Sequence, residues 1–216
     1  MNPVVLIHGL ATSARRTWVE TGWVDLLQDE GRDVLAVDLP GHGGTAPIAD
    51  WDHLEEHVAG MLPTGPIDAV GFSLGARILL TLAGREPARF ERLVVAGVGA
   101  NLFRHDDQES FATDLESPDA DGNLIAAHFQ QLASSSDTDP ASVSALLRRR
   151  LPPLDDALPH ITARTMVVLG DQDFAGPADP LLERLPAAMF VALRGVDHFA
   201  TPKSMAFLDA ALRFLS

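Results

Sequence analysis

Short apolar segments recur along the chain, and each is bounded by glycine, proline or aspartate. Six of them have the branched aliphatic character of buried strands: Val4–Ile7, Val34–Val37, Ile67–Val70, Leu93–Ala96, Met166–Leu169 and Met189–Leu193. Amphipathic segments of helical length lie between most of them, at Thr17–Glu30, His53–Met61, Leu74–Arg85 and Pro202–Leu215. This alternation predicts an α/β fold with a mainly parallel central sheet flanked by helices.

The alternation stops between about residues 101 and 160. The sequence there is polar, favours helices, and is interrupted by Ser134-Ser135-Ser136 and by Pro152-Pro153. We interpret 101–160 as a small helical cap inserted into a single domain that spans 1–216. The cap is expected over the carboxyl edge of the sheet, where parallel sheets carry their sites.

Composition narrows the classes of partner. The chain has 216 residues with 46% hydrophobic content, which fits one compact domain. Its net charge of −14 disfavours binding to nucleic acid and to anionic membranes. The absence of cysteine excludes disulfides, thiolate metal sites and a cysteine nucleophile. With neither a signal peptide pattern nor an apolar run near the roughly 20 residues that span a bilayer, we expect a cytoplasmic protein, of unspecified oligomeric state.

A nucleophile motif follows the third predicted strand. Gly71-Phe72-Ser73-Leu74-Gly75 matches G-x-S-x-G directly between a strand and a helix, which is the context that this motif requires. The flanking glycines suit a turn in which helix and strand backbones approach closely. Ser73 is therefore the candidate nucleophile, and the alternative is an ordinary strand–turn–helix connection.

A serine needs a base, and the base needs an acid that orients it. His198 is the only histidine that comes after the late carboxylates, and it lies in a loop before the last predicted helix. Asp171 and Asp173 both follow the fifth predicted strand and compete for the role of the acid, with Asp197 as a weaker third candidate. We favour Asp173. The loop His8-Gly9-Leu10 could direct the amide of Leu10 toward the same point as the amide of Leu74, forming an oxyanion hole.

Five segments together resemble the α/β-hydrolase superfamily: L-I-H-G, D-L-P-G-H-G-G, G-F-S-L-G-A-R, G-D-Q-D-F-A-G-P and D-H-F. The resemblance covers the whole chain in order and implies the α/β-hydrolase fold. It also implies a Ser73, Asp173 and His198 triad, because the family acid is the aspartate of a G-x-x-D-x-x-x-P pattern. The family oxyanion donors correspond to Leu10 and Leu74.

Part of the pattern is similar to the menaquinone-pathway 2-succinyl-6-hydroxy-2,4-cyclohexadiene-1-carboxylate synthases, whose arginine after the serine helps to hold a substrate carboxylate. That similarity implies such a role for Arg77, although Phe72 replaces a tyrosine common in those enzymes. Arg77, Phe72 and His8 are candidate substrate-binding residues. The favoured alternatives are a salt-bridged helix residue for Arg77 and a hydrogen-bonded turn residue for His8.

Three functions remain. The first is a serine hydrolase that cleaves a small carboxylic ester, thioester or lactone through an acyl-enzyme, without metal or cofactor. The second is a lyase-type synthase that uses the triad as a base, with Arg77 and residues of the run Arg148–Arg150 binding carboxylates; such a run is more often a solvated helix face. The third is a non-catalytic protein that binds a small molecule.

Overall fold

The computed structural model describes residues 1–104, 108–118 and 120–216. Six strands alternate with helices along the chain. The strands are β1 (Val4–Ile7), β2 (Val34–Val37), β3 (Ile67–Phe72), β4 (Phe90–Ala96), β5 (Arg164–Gly170) and β6 (Met189–Leu193). The α-helices are α1 (Trp23–Asp29), α2 (Leu54–Met61), α3 (Leu74–Arg85), α4 (Gln108–Glu116), α5 (Leu124–Ser135), α6 (Pro140–Arg148), α7 (Asp179–Arg184) and α8 (Met205–Leu215).

The strands form one sheet in the order β2-β1-β3-β4-β5-β6, and every pair is parallel within the described part of the chain. All six predicted strands are confirmed, and β3, β4 and β5 are longer than predicted. Because the strands are parallel, their carboxyl ends lie along one edge, where Phe72 pairs with Ala96 and Gly170 with Leu193. The loops at this edge carry the candidate catalytic residues.

Successive residues of the central strands point into opposite layers. In β1, Val5 and Ile7 face a layer formed mainly by α2, α3 and α7, while Val4 and Leu6 face α1 and α8. All four are fully buried, which explains why the strand is an unbroken apolar run instead of an alternating one. Each such side chain contributes about 1.5–3 kcal/mol to folding.

The helix predicted over Thr17–Glu30 is broken. A short π-helix spans Arg15–Val19, and α1 begins only after Gly22, whose φ of 83° does not belong to a right-handed helix. The break places two large side chains in one core layer, because the rings of Trp18 and Trp23 pack edge to face at 5.1 Å. Periodicity alone did not reveal this change of direction.

Helices α4, α5 and α6 occupy the segment between β4 and β5. Asn123 caps α5 by accepting from the amides of Ile125 and Ala126, and Asp139 caps α6 in the same way; such caps contribute about 1 kcal/mol each. Residues 105–107 and 119 of the expected cap lie outside the described residues. Over the described ranges, no helix has both the length and the apolar character needed to cross a membrane.

Candidate active site

Ser73 occupies a sharp turn between β3 and α3. Its φ of 53° and ψ of −113° are rarely adopted by residues other than glycine, at a cost of the order of 1–3 kcal/mol. A Cβ at Gly71 would lie 2.7 Å from the backbone of Ala76, and one at Gly75 would lie 2.2 Å from the carbonyl oxygen of Ile7. Both positions therefore require glycine, because α3 begins directly against the ends of β1 and β3.

The side chains of Ser73, His198 and Asp173 form a continuous chain of hydrogen bonds. His198 Nε2 lies 3.1 Å from Ser73 Oγ, and its Nδ1 lies 2.9 and 3.0 Å from the two oxygens of Asp173. A carboxylate can only accept, so Nδ1 carries the proton and Nε2 is free to accept the serine proton. Asp173 Oδ1 also accepts from the amide of Ala175 at 2.8 Å. In such an arrangement a histidine can take the proton of a serine while a carboxylate orients the histidine.

Two phenyl rings hold the imidazole of His198. Phe72 lies 4.8 Å from it at an interplanar angle of 39°, and Phe174 lies 4.2 Å from it at 35°. The side chain of His198 is 3% exposed. Its plane is thus fixed by packing as well as by Asp173, while Nε2 remains directed at Ser73.

The other two candidate acids stabilise loops. Asp171 accepts from the amide of Gly195 at 2.7 Å, and Asp197 accepts from the amide of Ala200 at 2.8 Å. Both residues therefore shape the loops that carry Asp173 and His198. Of the three carboxylates that the sequence offered, the structure brings Asp173 to the imidazole.

The loop after β1 lies against the turn of Ser73. A Cβ at Gly9 would be 3.3 Å from Cβ of Ser73, which leaves the next residue, Leu10, beside the serine. Leu74 is the first residue of α3, where backbone amides have no acceptor within the helix. Within the described part of the chain, neither the Leu10 amide nor the Leu74 amide donates to a backbone acceptor. Both are available as donors to an oxyanion.

His8 lies beneath this loop, outside the cavities at Ser73. Its Nδ1 donates to the carbonyl of Gly9 at 2.7 Å, and its Nε2 accepts from the amide of Leu39 at 3.0 Å. Burial, together with the neighbouring ring of His42, lowers the pKa of His8 to about 3. The 3.6 Å contact of Nε2 with Asp38 is consequently not an ion pair. The structure places His8 as a hydrogen-bonded turn residue, without access to a substrate.

His42 binds the backbone of Ala11, the residue that follows Leu10 in this loop. Its Nδ1 donates to the carbonyl of Pro40 at 2.9 Å, and its Nε2 accepts from the amide of Ala11 at 3.1 Å. Ala11 has a φ of 59°, which is unusual for alanine. Burial lowers the pKa of His42, so it stays neutral and keeps Nε2 as an acceptor. The family resemblance included D-L-P-G-H-G-G, but the sequence did not indicate the contact of its histidine with this loop.

Arg77 joins α3 to the segment between β4 and β5. Its two terminal nitrogens donate to the carbonyls of Leu102 at 3.2 Å and Pro152 at 2.8 Å. Burial, with a further contribution from the charge of Arg149, lowers the pKa of Arg77 to about 10. Among the described residues Arg77 forms no salt bridge, and its terminal nitrogens bind backbone carbonyls instead.

The run Arg148–Arg150 is not uniformly solvated. Arg148 lies at the surface and bonds to Glu109 and Glu116, whereas the side chain of Arg149 is completely buried against Glu55. The prediction of a solvated face is therefore wrong for Arg149. No local signal distinguished it from its neighbours, since its acidic partner comes from a distant helix.

Two cavities meet at Ser73, and both also contact Leu10 and Phe129. The histidine-side cavity has a volume of about 390 Å³ and is lined further by Phe72, Thr17, Arg16, Lys203, His198 and Phe199. The helix-side cavity has a volume of about 520 Å³ and is lined further by Leu74, Arg77, Leu102, Phe111, Leu146 and Phe174. Over the described residues, no cluster of three or more histidine, aspartate or glutamate side chains is arranged to hold a metal ion.

Comparisons with known proteins find a matching family and similar sequences. The model of the alpha/beta hydrolase family matches residues 4–211. A pimeloyl-[acyl-carrier protein] methyl ester esterase of Nitrosomonas europaea is 27% identical, over 90% of this chain and 88% of that protein. An sn-1-specific diacylglycerol lipase of Danio rerio is 31% identical, over 46% of this chain and only 32% of the lipase.

Solved structures share the fold. A thermophilic esterase from Thermogutta terrifontis superposes with a TM-score of 0.77 at 20% identity, covering 99% of this chain and 88% of that one. At this identity the likeness concerns the fold of the backbone. It covers the sheet and the helices between β4 and β5 together.

Proposed function

The chain belongs to the alpha/beta hydrolase family, and on that premise we propose that it is a serine hydrolase of small carboxylic esters, thioesters or lactones. The observation that carries this proposal is the chain of hydrogen bonds from Ser73 through His198 to Asp173, at a strained turn open to two cavities. Strain of this kind is retained where the surrounding fold enforces it, and it is concentrated at functional sites.

The reaction begins at the serine. His198 Nε2 takes the proton of Ser73 as Oγ attacks the acyl carbon, and Asp173 stabilises the imidazolium that forms. The tetrahedral intermediate collapses with cleavage of the bond to the leaving group, which receives the proton from Nε2. Water then attacks the acyl-enzyme and gives its proton to His198, and the acid is released as Ser73 recovers its hydroxyl.

The negative charge of each tetrahedral intermediate is stabilised by backbone amides. The amides of Leu10 and Leu74 are the donors, and in other hydrolases one such donor contributes about 3 kcal/mol to the barrier reduction. Nucleophile, base and oxyanion donors all belong to the polypeptide, so the reaction as written uses no cofactor.

The similar proteins support an ester substrate. The names of the two similar sequences denote a methyl ester esterase and a diacylglycerol lipase. The lyase-type alternative needs Arg77 for a substrate carboxylate, but two of its five N–H groups already donate to backbone carbonyls, which gives Arg77 a structural role. The hydrolase is therefore the favoured function. Its location in the cytoplasm stays a prediction from the sequence.

A fluorophosphonate probe tests the proposal. Such probes phosphonylate a serine that a histidine has activated, with loss of fluoride, so the protein should gain the mass of one phosphonyl group on Ser73 and lose esterase activity in proportion. Ser73→Ala should not react, while Ser134→Ala, at an exposed serine of α5, should react like the wild type. Failure of the wild type to react would favour a non-catalytic binding protein.

A further inference from the structure

The two cavities at Ser73 have different relations to the base. His198 lines the histidine-side cavity, whereas it does not contact the helix-side cavity. Ester cleavage requires His198 Nε2 to protonate the leaving group as its bond to the acyl carbon breaks. This arrangement favours the leaving group in the histidine-side cavity and the acyl group in the helix-side cavity.

The helix-side cavity suits an apolar acyl group. Aliphatic and phenyl side chains form most of its wall, including Leu102, Phe111 and Leu146. Arg77 and Arg104 also reach this cavity; two N–H groups of Arg77 donate to backbone carbonyls, and Arg104 is exposed.

The histidine-side cavity is more polar than the helix-side cavity, and two cations line it. Three threonines line it, Thr12, Thr17 and Thr21, together with the exposed side chains of Arg16 and Lys203. Lys203 is the only lysine in the sequence. In a chain of net charge −14, two cations beside the nucleophile create a local potential opposite to that of the molecule as a whole.

The backbone around Lys203 is fixed by packing, whereas its ammonium group is available to bind a ligand. It ends a short helix, Thr201–Lys203, that begins three residues after His198, and the indole of Trp23 donates to the carbonyl of Pro202 at 2.9 Å. Within the described part of the chain, the ammonium of Lys203 has no acceptor. Arg16 donates one hydrogen bond, from Nη1 to the carbonyl of Ser135 at 3.1 Å.

One acidic residue of the cavity wall reduces the positive charge of Arg16 and Lys203. Glu20 also lines the histidine-side cavity, but its carboxylate is bonded to Arg15 at 3.1 Å. Part of its charge is therefore compensated, and the local balance remains positive.

We propose that the natural substrate joins an apolar acyl group to an alcohol or thiol that carries an anionic group, and that Arg16 and Lys203 bind this anion. The proposal rests on the proposed hydrolase function, and it concerns the identity of the leaving group. Because both cations are exposed, their attraction is screened by salt, and each contributes a modest factor to specificity.

Three hexanoyl esters that share one acyl group test this proposal. Their leaving groups are 3-hydroxybenzoate, 3-hydroxybenzamide and (3-hydroxyphenyl)trimethylammonium, which are anionic, neutral and cationic. The wild type should show a kcat/KM for the anionic ester about tenfold above that for the neutral one at low salt, mainly through KM, and the cationic ester should be the poorest. The ratio should shrink as salt is added.

Variants then identify the residues that bind the anionic group. Lys203→Gln and Arg16→Gln should each lower the anionic-to-neutral ratio about threefold, the double variant should abolish it, and Lys203→Arg should retain it. Glu20→Gln should raise the ratio. Arg213→Gln is the matched control, because it removes the same charge from α8 outside both cavities.

The possible results distinguish failure of the proposed anion site from failure of the proposed serine hydrolase function. Hydrolysis of the esters with a ratio near one, or an unchanged ratio in the double variant, would overturn the anion site while leaving the serine hydrolase in place. If none of the esters is cleaved and Ser73 does not react with the fluorophosphonate, both proposals fail.

Discussion

The guanidinium of Arg149 donates two hydrogen bonds, of 2.9 and 2.7 Å, to the carboxylate of Glu55, and both side chains are completely buried. The pair connects α2 with the residue that follows α6. The pair therefore links the segment that carries α4, α5 and α6 to the layer of helices that packs on the sheet. A buried pair of this kind is stabilising only while both partners are present, because either charge alone has lost its hydration without compensation.

We expect Glu55→Gln to lower the free energy of unfolding by about 3 kcal/mol, since Arg149 would keep a buried charge without its counterion. Urea denaturation at neutral pH measures the change. The matched control is Asp209→Asn, which breaks the exposed pair with Arg213 and should cost less than about 1 kcal/mol. Equal effects of the two substitutions would show that burial does not strengthen the pair.

Loss of the nucleophile and loss of the base should have similar effects. Ser73→Ala and His198→Ala should each lower kcat by about four to six orders of magnitude, and the double variant should be no worse than either, because triad members act as a unit. Steady-state kinetics on an ester that the wild type cleaves measures this, with the melting temperature as the control for folding. Multiplicative losses would mean that the two residues act separately.

The acid can be distinguished from its neighbour by two amide substitutions. Asp173→Asn should lower kcat by about four orders of magnitude, because an amide neither holds the imidazole tautomer nor stabilises the imidazolium. Asp171→Asn keeps an oxygen that can accept from the amide of Gly195, so its kcat should fall by less than about tenfold. A greater loss in Asp171→Asn would place the acid two residues earlier.

Local signals carried the prediction of the strands and of the turn at Ser73. The turn requires glycine at positions 71 and 75, since any side chain there would overlap backbone atoms, and the motif records this requirement in the sequence. Asp173 and His198 could be nominated because parallel strands deliver their following loops to one edge. The sequence left Asp171 as a competitor, and only the hydrogen bonds distinguish the two carboxylates.

Features that depend on residues distant in the chain could not be predicted from the sequence. Arg149 looks like its neighbours until Glu55, from another helix, is placed beside it. The histidine-side cavity joins Arg16, Phe129 and Lys203, which lie in three separate segments. No pattern within any one segment predicts such a surface, because its chemistry arises from packing.

The buried histidine below the Leu10 loop should make stability depend on pH. Free histidine in the unfolded chain titrates near pH 6.5, whereas the pKa of His8 in the folded chain is about 3. Below pH 6.5 the unfolded state therefore gains a proton that the folded state does not bind. The stability associated with neutral His8 is complete above pH 6.5 and falls by up to about 1.4 kcal/mol per pH unit until pH 3.

His8→Gln removes this titration, so its free energy of unfolding should fall less steeply than that of the wild type on acidification. Urea denaturation at about pH 7, 6 and 5 gives the two slopes. The comparison uses slopes because the substitution also changes the hydrogen bonds to Gly9 and Leu39. His57→Gln, at an exposed position of α2, should run parallel to the wild type. Parallel profiles for His8→Gln as well would mean that His8 is not the source of the pH dependence.

Arg77 distinguishes a structural residue from one that binds a substrate carboxylate. Its guanidinium holds the carbonyls of Leu102 and Pro152, at the two ends of the segment that carries α4, α5 and α6. Arg77→Met keeps the aliphatic part of the side chain but leaves both carbonyls without this donor. We expect a loss of about 2–3 kcal/mol in stability, visible as a lower melting temperature.

The same substitution should loosen the wall of the helix-side cavity without regard to substrate charge. KM should therefore rise by a similar factor for neutral acyl groups and for acyl groups that end in a carboxylate, measured as a matched pair of esters with one leaving group. Arg104→Gln serves as the control, because Arg104 lines the same cavity but is exposed. It should change the stability by less than about 0.5 kcal/mol. A selective loss on the carboxylate substrates at an unchanged melting temperature would instead give Arg77 the substrate-binding role of the lyase-type alternative, since a charge-assisted hydrogen bond to substrate would then be the interaction removed.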